Sequence, residues 1–327
     1  MILNVLNLKP NKLTTDLTSY NFLLYSAPGM GKTTFATELF PERALILGAE
    51  LGYKGIPKAT GIPVPNYHTL LQYVDQLDTD EAREMYDTLI VDTTTKVGEM
   101  IEEYILSMYA KDSLGDCKAH GGAYPLINRY YNLAFNRLKG RGYNFVYICH
   151  AKTVDIKNEK GEVIGQKYLP KMSDRLNSLV EPEVDYVFFL TMNGKGERIL
   201  VTDNTPNSSG KQRTTLPTIM PLNIEKFKEE FARGVQVKGN GDVTNEKVKN
   251  TVVEFTSKER DYKEVVKEIK DLGKQLVDSG KNVDAIAIVN NRLGKDDNGV
   301  QRTLEQCSQA NLQMLEVIVE DLKKLLK

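Results

Sequence analysis

Residues 22–34 read F-L-L-Y-S-A-P-G-M-G-K-T-T, and they are the strongest indication of the architecture of this chain. An apolar run, a short loop with two glycines and helix-forming sequence follow one another, which predicts a strand, a tight loop and a helix. In that arrangement the backbone N–H groups of the loop and the N-terminus of the helix bind nucleotide phosphates. Ser26 replaces the first glycine of the motif. Because that position only begins the loop, we expect phosphate binding to be kept.

The side chains of this loop have expected roles in binding ATP and Mg²⁺. Lys32 is placed to reach the β- and γ-phosphates, and the Thr33 hydroxyl is the expected Mg²⁺ ligand. The residues predicted to contact the nucleotide are Ser26, Ala27, Pro28, Gly29, Met30, Gly31, Lys32, Thr33 and Thr34.

The composition is that of a soluble, cytoplasmic protein. The 327 residues are 41% hydrophobic and 27% charged, which is ordinary for a globular chain. The net charge of −1 attracts neither nucleic acid nor acidic lipid, so any basic surface must be local. Three cysteines far apart in sequence indicate a reducing compartment. No signal peptide or membrane-length apolar run is present in the sequence, so no membrane partner is expected.

Strand-like and helix-like segments alternate in the first part of the chain. This pattern predicts an α/β fold, with a mostly parallel sheet flanked by helices. The predicted strands of this sheet are 21–26, 43–47, 65–68, 88–92 and 144–149. Two polar turns, N-E-K-G-E and N-G-K-G-E, lie between further strand-like runs and predict two antiparallel hairpins.

The domain boundaries follow from the loss of periodicity after a predicted closing helix at 224–231. Residues 234–250 are rich in glycine and polar residues, which predicts a linker. The apolar spacing of Val265, Ile269, Leu272 and Leu276 predicts a helix beyond it. We therefore expect an ATPase core at 1–233, a linker at 234–250 and a small helical domain at 251–327.

Three polar side chains end predicted strands and are candidates for catalysis. Asp92 ends the apolar run L-I-V-D, where an acid can serve the magnesium side of a nucleotide site, although many such acids only cap a helix. Glu50 follows the second strand and is a candidate general base, or else a solvated loop residue. His150 closes the strand Y-I-C-H, where it can contact the γ-phosphate or only cap the strand. Thr93 and the next two threonines are expected to cap the following helix.

Two basic segments have both a functional and an ordinary interpretation. Lys211 and Arg213, in K-Q-R, can reach the nucleotide of a neighbouring subunit, or they form a solvated basic loop. The first predicted hairpin has cations and an aromatic that can follow a single-stranded backbone, although acids dilute its charge. Its candidate DNA-binding residues are Lys152, Lys157, Lys160, Lys167, Tyr168, Lys171 and Arg175.

Together these motifs resemble the RecA-like ATPases, specifically the phage nucleotide-binding proteins related to single-strand annealing proteins and recombinases. The resemblance spans roughly residues 21–231. It implies that Glu50 activates water, that His150 senses the γ-phosphate, and that Lys211 and Arg213 act in trans. It also favours ATP over GTP and places DNA-contacting loops near residues 152–175. Gly48 departs from the family pattern, which has an acid two residues before the glutamate, so slow or DNA-stimulated turnover is expected.

The resemblance implies a RecA-like ATPase that acts in phage DNA recombination. Such a protein would oligomerise as a ring or filament on single-stranded DNA in the host cytoplasm and promote annealing or strand exchange. The helical domain lies outside this resemblance and carries no motif, and we expect it to contact a single-strand-binding or other replication protein. The alternative is a nucleotide-switched interaction module that binds a replication or defence partner without touching DNA. A third hypothesis is a small-molecule kinase, but the sequence shows neither the lid nor the acceptor site that such an enzyme needs.

Overall fold

A computed structural model describes residues 10, 12–117, 122–248, 261–294, 300–308 and 311–326. The chain forms two compact units, Met1–Val253 and Glu254–Lys327, which are described separately below. Among these described residues, no helix combines the length and apolar character that a membrane crossing requires.

The first unit is built on a nine-stranded sheet, with a separate two-stranded ribbon beside it. The strands of the main sheet are β2 (Phe22–Ser26), β3 (Ala44–Gly48), β4 (Gly61–Pro63), β5 (Thr88–Asp92), β6 (Asn144–Lys157), β7 (Val163–Pro170), β8 (Tyr186–Met192), β9 (Arg198–Val201) and β10 (Ile219–Pro221). The ribbon pairs β1 (Leu13–Thr14) with β11 (Val243–Thr244).

The order of the strands places the candidate site at one edge of the sheet. The order is β10-β9-β8-β2-β6-β5-β3-β4, with β7 paired to β6. The six strands from β8 to β4 are parallel, while β7, β9 and β10 are antiparallel additions. Because β2, β3, β5 and β6 run the same way, their carboxyl ends meet at a single edge. The predicted fold class, mostly parallel with antiparallel hairpins, is confirmed.

Helices cover both faces of this sheet. They are α1 (Lys32–Leu39), α2 (Tyr67–Leu77), α3 (Asp80–Met85), α4 (Thr94–Tyr109), α5 (Tyr124–Gly140), α6 (Asp174–Glu183) and α7 (Ile224–Gly239). The side chains of β2 alternate between the two faces of the sheet and pack into two separate apolar clusters. Leu23 and Tyr25 belong to the apolar cluster with α2, α4 and α5, while Phe22 and Leu24 belong to the cluster with α1 and α7. Burial on both faces explains why the parallel strands are apolar throughout.

Three sequence-based boundaries are corrected by the structure. The strand predicted at 65–68 is wrong. Asn66 is the N-cap of α2, and its side chain accepts a hydrogen bond from Thr69 N at 2.9 Å. The strand of this region is β4, which lies earlier, at Gly61–Pro63. The strand predicted at 144–149 continues to Lys157 as one arm of the first hairpin. The closing helix predicted at 224–231 runs to Gly239.

The stretch predicted as a linker, 234–250, contains ordered structure in its first part. Gly234 lies within α7 against the backbone of Thr215, and this close approach leaves no room for a larger residue. Val243–Thr244 then pairs with β1 as β11. Residues 249–250 of the predicted linker lie outside the described residues.

The second unit is helical and has its own apolar core. It contains α8 (Tyr262–Asp278), α9 (Asn282–Leu293) and α10 (Leu312–Leu326). The predicted apolar face of α8 is buried, with Val265, Ile269, Leu272 and Leu276 packed in one cluster that includes residues of α9 and α10. Amphipathic spacing was therefore a sufficient guide to this unit.

Replacement of Phe135 by alanine is expected to lower the free energy of unfolding of the first unit by about 3–5 kcal/mol. Phe135 is fully buried on α5, and its ring packs against Tyr131, Phe145 and Tyr147 at centroid distances of 4.7, 5.9 and 6.3 Å. Urea unfolding followed by near-ultraviolet circular dichroism measures the loss. The matched control is Leu133→Ala on the same helix, where the side chain is 48% exposed and the expected change is within about 0.5 kcal/mol. Equal losses in the two variants would contradict this packing.

Candidate nucleotide site

The loop between β2 and α1 has the conformation that two of its glycines allow. Gly29 and Gly31 have φ angles of +76° and +94°, a region that side chains with a Cβ rarely adopt. Gly31 is the N-cap of α1, and no side chain caps this helix end. The first N–H groups of an α-helix have no intrahelical acceptor, so the start of α1 offers donors and a positive dipole end to an anion.

Lys32 points its amine back into this loop. The side chain is buried, and Nζ donates to Ser26 Oγ at 2.9 Å and to the carbonyl oxygens of Ser26 and Ala27 at 3.4 and 3.2 Å. Burial lowers the pKa of the Lys32 amine, and the nearby Asp92 carboxylate opposes that shift. The hydroxyl of Ser26 is a partner that glycine could not supply. The departure from the motif therefore adds a contact to the lysine without removing the loop.

Thr33 and Asp92 meet at the edge of the sheet, although 59 positions separate them in sequence. The Thr33 hydroxyl donates to Asp92 Oδ2 at 2.8 Å, and Asp92 is only 3% exposed. Burial raises the pKa of the Asp92 carboxyl, the Thr33 hydrogen bond opposes this shift, and the charge of Glu50 adds to it. A hydroxyl and a carboxylate side by side form the kind of oxygen donor set that Mg²⁺ prefers, so these residues fit the ion.

Glu50 and His150 are in contact, although 100 positions separate them in sequence. Glu50 follows β3, and its backbone N–H donates to the Asp92 carbonyl at 3.0 Å. Its Oε1 lies 3.1 Å from His150 Nε2, within hydrogen-bond distance. His150 Nδ1 is buried and has no hydrogen-bond partner within the described ranges. The pair therefore stands beside Asp92 with one unused polar atom.

Thr93 is a member of this group that the sequence indicated only as a helix cap. Its hydroxyl donates to Glu50 Oε1 at 3.0 Å and accepts from Lys96 N at 3.3 Å, so it caps α4 and orients the glutamate together. The available signal was a hydroxyl residue directly after the strand-ending acid, in L-I-V-D-T.

Gly48 is explained by the packing of Tyr53. A Cβ at position 48 would overlap the ring of Tyr53, which is buried against the end of β3. An acidic side chain at this position therefore has no room. The departure from the expected pattern is a packing requirement of this chain.

Comparison with known proteins supplies the family. The family described as "AAA domain" matches residues 18–214, which is more than half of the chain and includes the whole nucleotide site. The chain belongs to the AAA domain family. Its core is therefore an AAA-type P-loop NTPase domain, and the predicted nucleotide-binding loop is the loop of that domain.

Two further proteins resemble the chain. The "SPbeta prophage-derived uncharacterized protein YorG" of Bacillus subtilis (strain 168) is 26% identical over 340 residues, which cover 100% of this chain and 99% of that protein. The solved structure described as "Crystal structure of the RadB recombinase" is 10% identical, with a TM-score of 0.36, over 65% of this chain and 90% of that one.

In this AAA domain, Lys211 and Arg213 lie at the sheet edge opposite the phosphate loop. Lys211 pairs through its backbone with Val187, near the start of β8, and Arg213 lies 3.6 Å from Asp185 in an ion pair. Lys211 Nζ donates to the carbonyl oxygens of Glu181 and Val184. Since β8 and β2 are parallel, three residues of β2 separate this level from Ser26, or about 10 Å. The two cations do not reach the phosphate loop of their own chain.

The candidate DNA-binding residues of the AAA domain have four different surroundings. Lys152 Nζ donates to the Met172 carbonyl at 3.2 Å, and Arg175 lies over the ring of Tyr124 at 5.6 Å. The Tyr168 ring stacks on Phe189 at 5.1 Å and remains 40% exposed, so one face of the ring is already covered. Among these candidates, the amines of Lys157, Lys160, Lys167 and Lys171 form neither an ion pair nor a hydrogen bond with the described residues.

Proposed function

We propose that this chain is an ATPase that oligomerises on single-stranded DNA and promotes annealing or strand exchange in phage DNA recombination. One observation carries the proposal. The strand β6 passes from the nucleotide site at His150 directly into the hairpin that it forms with β7, so a single element joins the two functional regions. The prophage origin in the name of the Bacillus subtilis relative agrees with a role in phage biology.

The site supplies the groups that hydrolysis needs. Glu50, held by Thr93 and His150, is the proposed base that accepts a proton from the attacking water. Lys32 and the N–H groups of the loop bind the triphosphate, and His150 Nδ1 is the polar atom proposed to sense the γ-phosphate. Thr33 and Asp92 are the residues that would hold Mg²⁺, which neutralises charge on the phosphates when bound.

The hairpin is also connected to the nucleotide site at its second arm. Lys171 N donates to the His150 carbonyl at 2.7 Å, and the Thr95 hydroxyl donates to the Lys171 carbonyl at 2.8 Å. Thr95 lies three residues after Asp92, on the first turn of α4. A displacement at the nucleotide site would therefore be transmitted through hydrogen bonds to the base of both arms of the hairpin.

Local charge supports single-stranded DNA as the partner. Between residues 152 and 175, six cations outnumber four acids, whereas the whole chain has a net charge of −1. Cations along an extended hairpin can follow a phosphate backbone, and the binding would weaken as salt increases. The free face of Tyr168 is a place for one base to stack.

A second candidate is a nucleotide-switched module that binds a protein. Three aliphatic side chains of the hairpin, Val154, Val163 and Ile164, are 37%, 56% and 64% exposed. Exposed aliphatic residues favour a protein partner over nucleic acid. The same region would then change its contacts as nucleotide binds and leaves.

The helical unit is the proposed contact for a single-strand-binding or other replication protein. It has an apolar groove of about 260 Å³, lined by residues such as Ile269, Val277, Ile286 and Val289. Val283 and Ile286 on α9 are more than half exposed. These features suit a partner that presents an apolar segment.

The decisive experiment measures ATP hydrolysis with and without single-stranded DNA, with Lys32→Ala as the inactive reference. Stimulation by DNA that Lys32→Ala abolishes supports the recombination role. Lysine-dependent hydrolysis that DNA leaves unchanged supports the protein switch. Subunit mass measured by light scattering, with and without nucleotide, tests the trans role of Lys211 and Arg213. A strictly monomeric, fully active enzyme would remove that role.

Replacement of Thr95 by valine is expected to reduce stimulation by DNA about 2–10-fold, because one hydrogen bond of about 0.5–1.5 kcal/mol is lost between the site and the hairpin. Hydrolysis without DNA is expected to change less than about twofold, since the Thr95 hydroxyl forms no hydrogen bond with Glu50 or Asp92 in the part of the chain that the structure describes. Thr69→Val on α2 is the control. An equal loss with and without DNA would contradict this coupling.

A further inference from the structure

Arg198 lies over the phosphate loop of its own chain. It is the first residue of β9 and pairs with Met192, the last residue of β8. Because β8 is parallel to β2, this pair stands at the same sheet edge as the loop. Arg198 Nη2 donates to the Gly29 carbonyl at 3.3 Å, and a Cβ added to Gly31 would lie 3.5 Å from Nη1. The guanidinium therefore lies over the N-terminus of α1.

The charges around Arg198 indicate an anion as its partner. The helix end and Lys32 are both positive, so a third positive group there raises the free energy unless an anion joins them. Arg198 forms no ion pair with any described acid, and the adjacent Glu197 instead accepts a hydrogen bond from Asn193 Nδ2 at 2.7 Å. A guanidinium has five N–H donors, and the hydrogen bond to the Gly29 carbonyl uses one N–H of Nη2.

We infer that Arg198 is a phosphate-binding residue of the nucleotide site that acts in cis. This inference rests on nucleotide binding by the loop and adds a residue 166 positions beyond Lys32 that no motif indicates. The guanidinium exchanges its contact with the Gly29 carbonyl for a charge-assisted hydrogen bond to a phosphate oxygen. Such bonds are stronger than neutral ones, and the planar fork of arginine suits a phosphate. Arg198 is then a second cation in cis beside Lys32, while Lys211 and Arg213 remain the candidates in trans.

Isothermal titration calorimetry of the full chain with ATP, ADP and adenosine tests the inference. Arg198→Ala is expected to weaken binding of both ATP and ADP about 10–100-fold, the loss that a charge-assisted hydrogen bond of about 1.5–3 kcal/mol gives. Adenosine has no phosphate, so its weak binding is expected to be unchanged. Arg198→Lys is expected to recover part of the affinity. Lys195→Ala, in the exposed turn of the same hairpin, is the matched control and is expected to bind like the parent chain.

The outcomes separate this inference from the proposed function. Parental affinity in Arg198→Ala, or an equal loss for adenosine and ATP, overturns the role of Arg198 while leaving nucleotide binding intact. Absence of nucleotide binding by the parent chain overturns both. Because Arg198 is exposed, the thermal unfolding midpoint of Arg198→Ala is expected to match that of the control, which excludes a folding defect.

Discussion

Replacement of Glu50 by glutamine is expected to lower the turnover number for ATP about 10²–10⁴-fold and to leave ATP affinity within a few-fold of the parent. The amide keeps the size of the side chain and can still bond to Thr93 and His150, but it cannot accept the proton of an attacking water. Glu50 hydrogen-bonds to Thr93 and His150 and acts on Lys32 of the phosphate loop only through its charge, so ATP affinity is expected to change much less than turnover. Single-turnover hydrolysis and equilibrium binding, measured on the same preparation, separate the two effects.

Glu229→Gln is the matched control for this variant. Glu229 is exposed on α7 and forms no hydrogen bond or ion pair with the described residues of the site, so the same change of charge there is expected to alter neither quantity. Turnover within threefold of the parent in Glu50→Gln would show that another group activates water. Loss of affinity in proportion to turnover would instead assign Glu50 to binding.

Replacement of Asp92 by asparagine is expected to lower magnesium-dependent hydrolysis at least about 100-fold, because the metal side of the site loses its only buried carboxylate among the described residues. The Thr33 hydroxyl can still donate to the amide oxygen, so the local geometry is kept. Hydrolysis measured across a magnesium titration tests the change. Full activity at any magnesium concentration would show that Asp92 is not required for metal binding.

The same variant is expected to be at least as stable as the parent at neutral pH. Burial raises the pKa of Asp92 in the folded chain above its ordinary value of 3.8, so the folded state binds the proton more tightly than the unfolded state does. The parent therefore loses stability as the pH rises from about 4 through the raised folded pKa, and asparagine removes this loss. Unfolding free energies without nucleotide or magnesium, measured at several pH values, check the sign. A parent more stable than Asp92→Asn at neutral pH would contradict it.

Local patterns were enough to find the elements of the site. The loop before α1 and the strand ending in Asp92 were located within a few residues, because tight turns and buried parallel strands have strong sequence requirements. Glu50 and His150 were found as strand-ending polar residues. Their roles stay predictions until activity is measured.

Pairwise contacts in the site depend on strand order, which no local pattern contains. Glu50 contacts His150 because β3 and β6 lie on either side of the same strand, β5. Arg198 reaches Gly29 because β9 pairs with β8, which lies beside β2. Helix α6 (Asp174–Glu183) was not predicted from the sequence, because it contains Pro182, which weakens a helical pattern. Its N-cap is Ser173, whose hydroxyl accepts a hydrogen bond from Leu176 N at 3.4 Å. Tertiary packing, and not local preference, holds these features in place.

The separation of Lys211 and Arg213 from their own phosphate loop has a consequence for stoichiometry. Under the proposed trans role, a copy completes the site of its neighbour and receives its own completion from the next copy along. An open row of n copies then contains n − 1 complete sites and one incomplete site at its end, whereas in a closed ring every site is complete. Specific activity would rise with protein concentration toward a plateau, and short rows would be the poorest catalysts per copy.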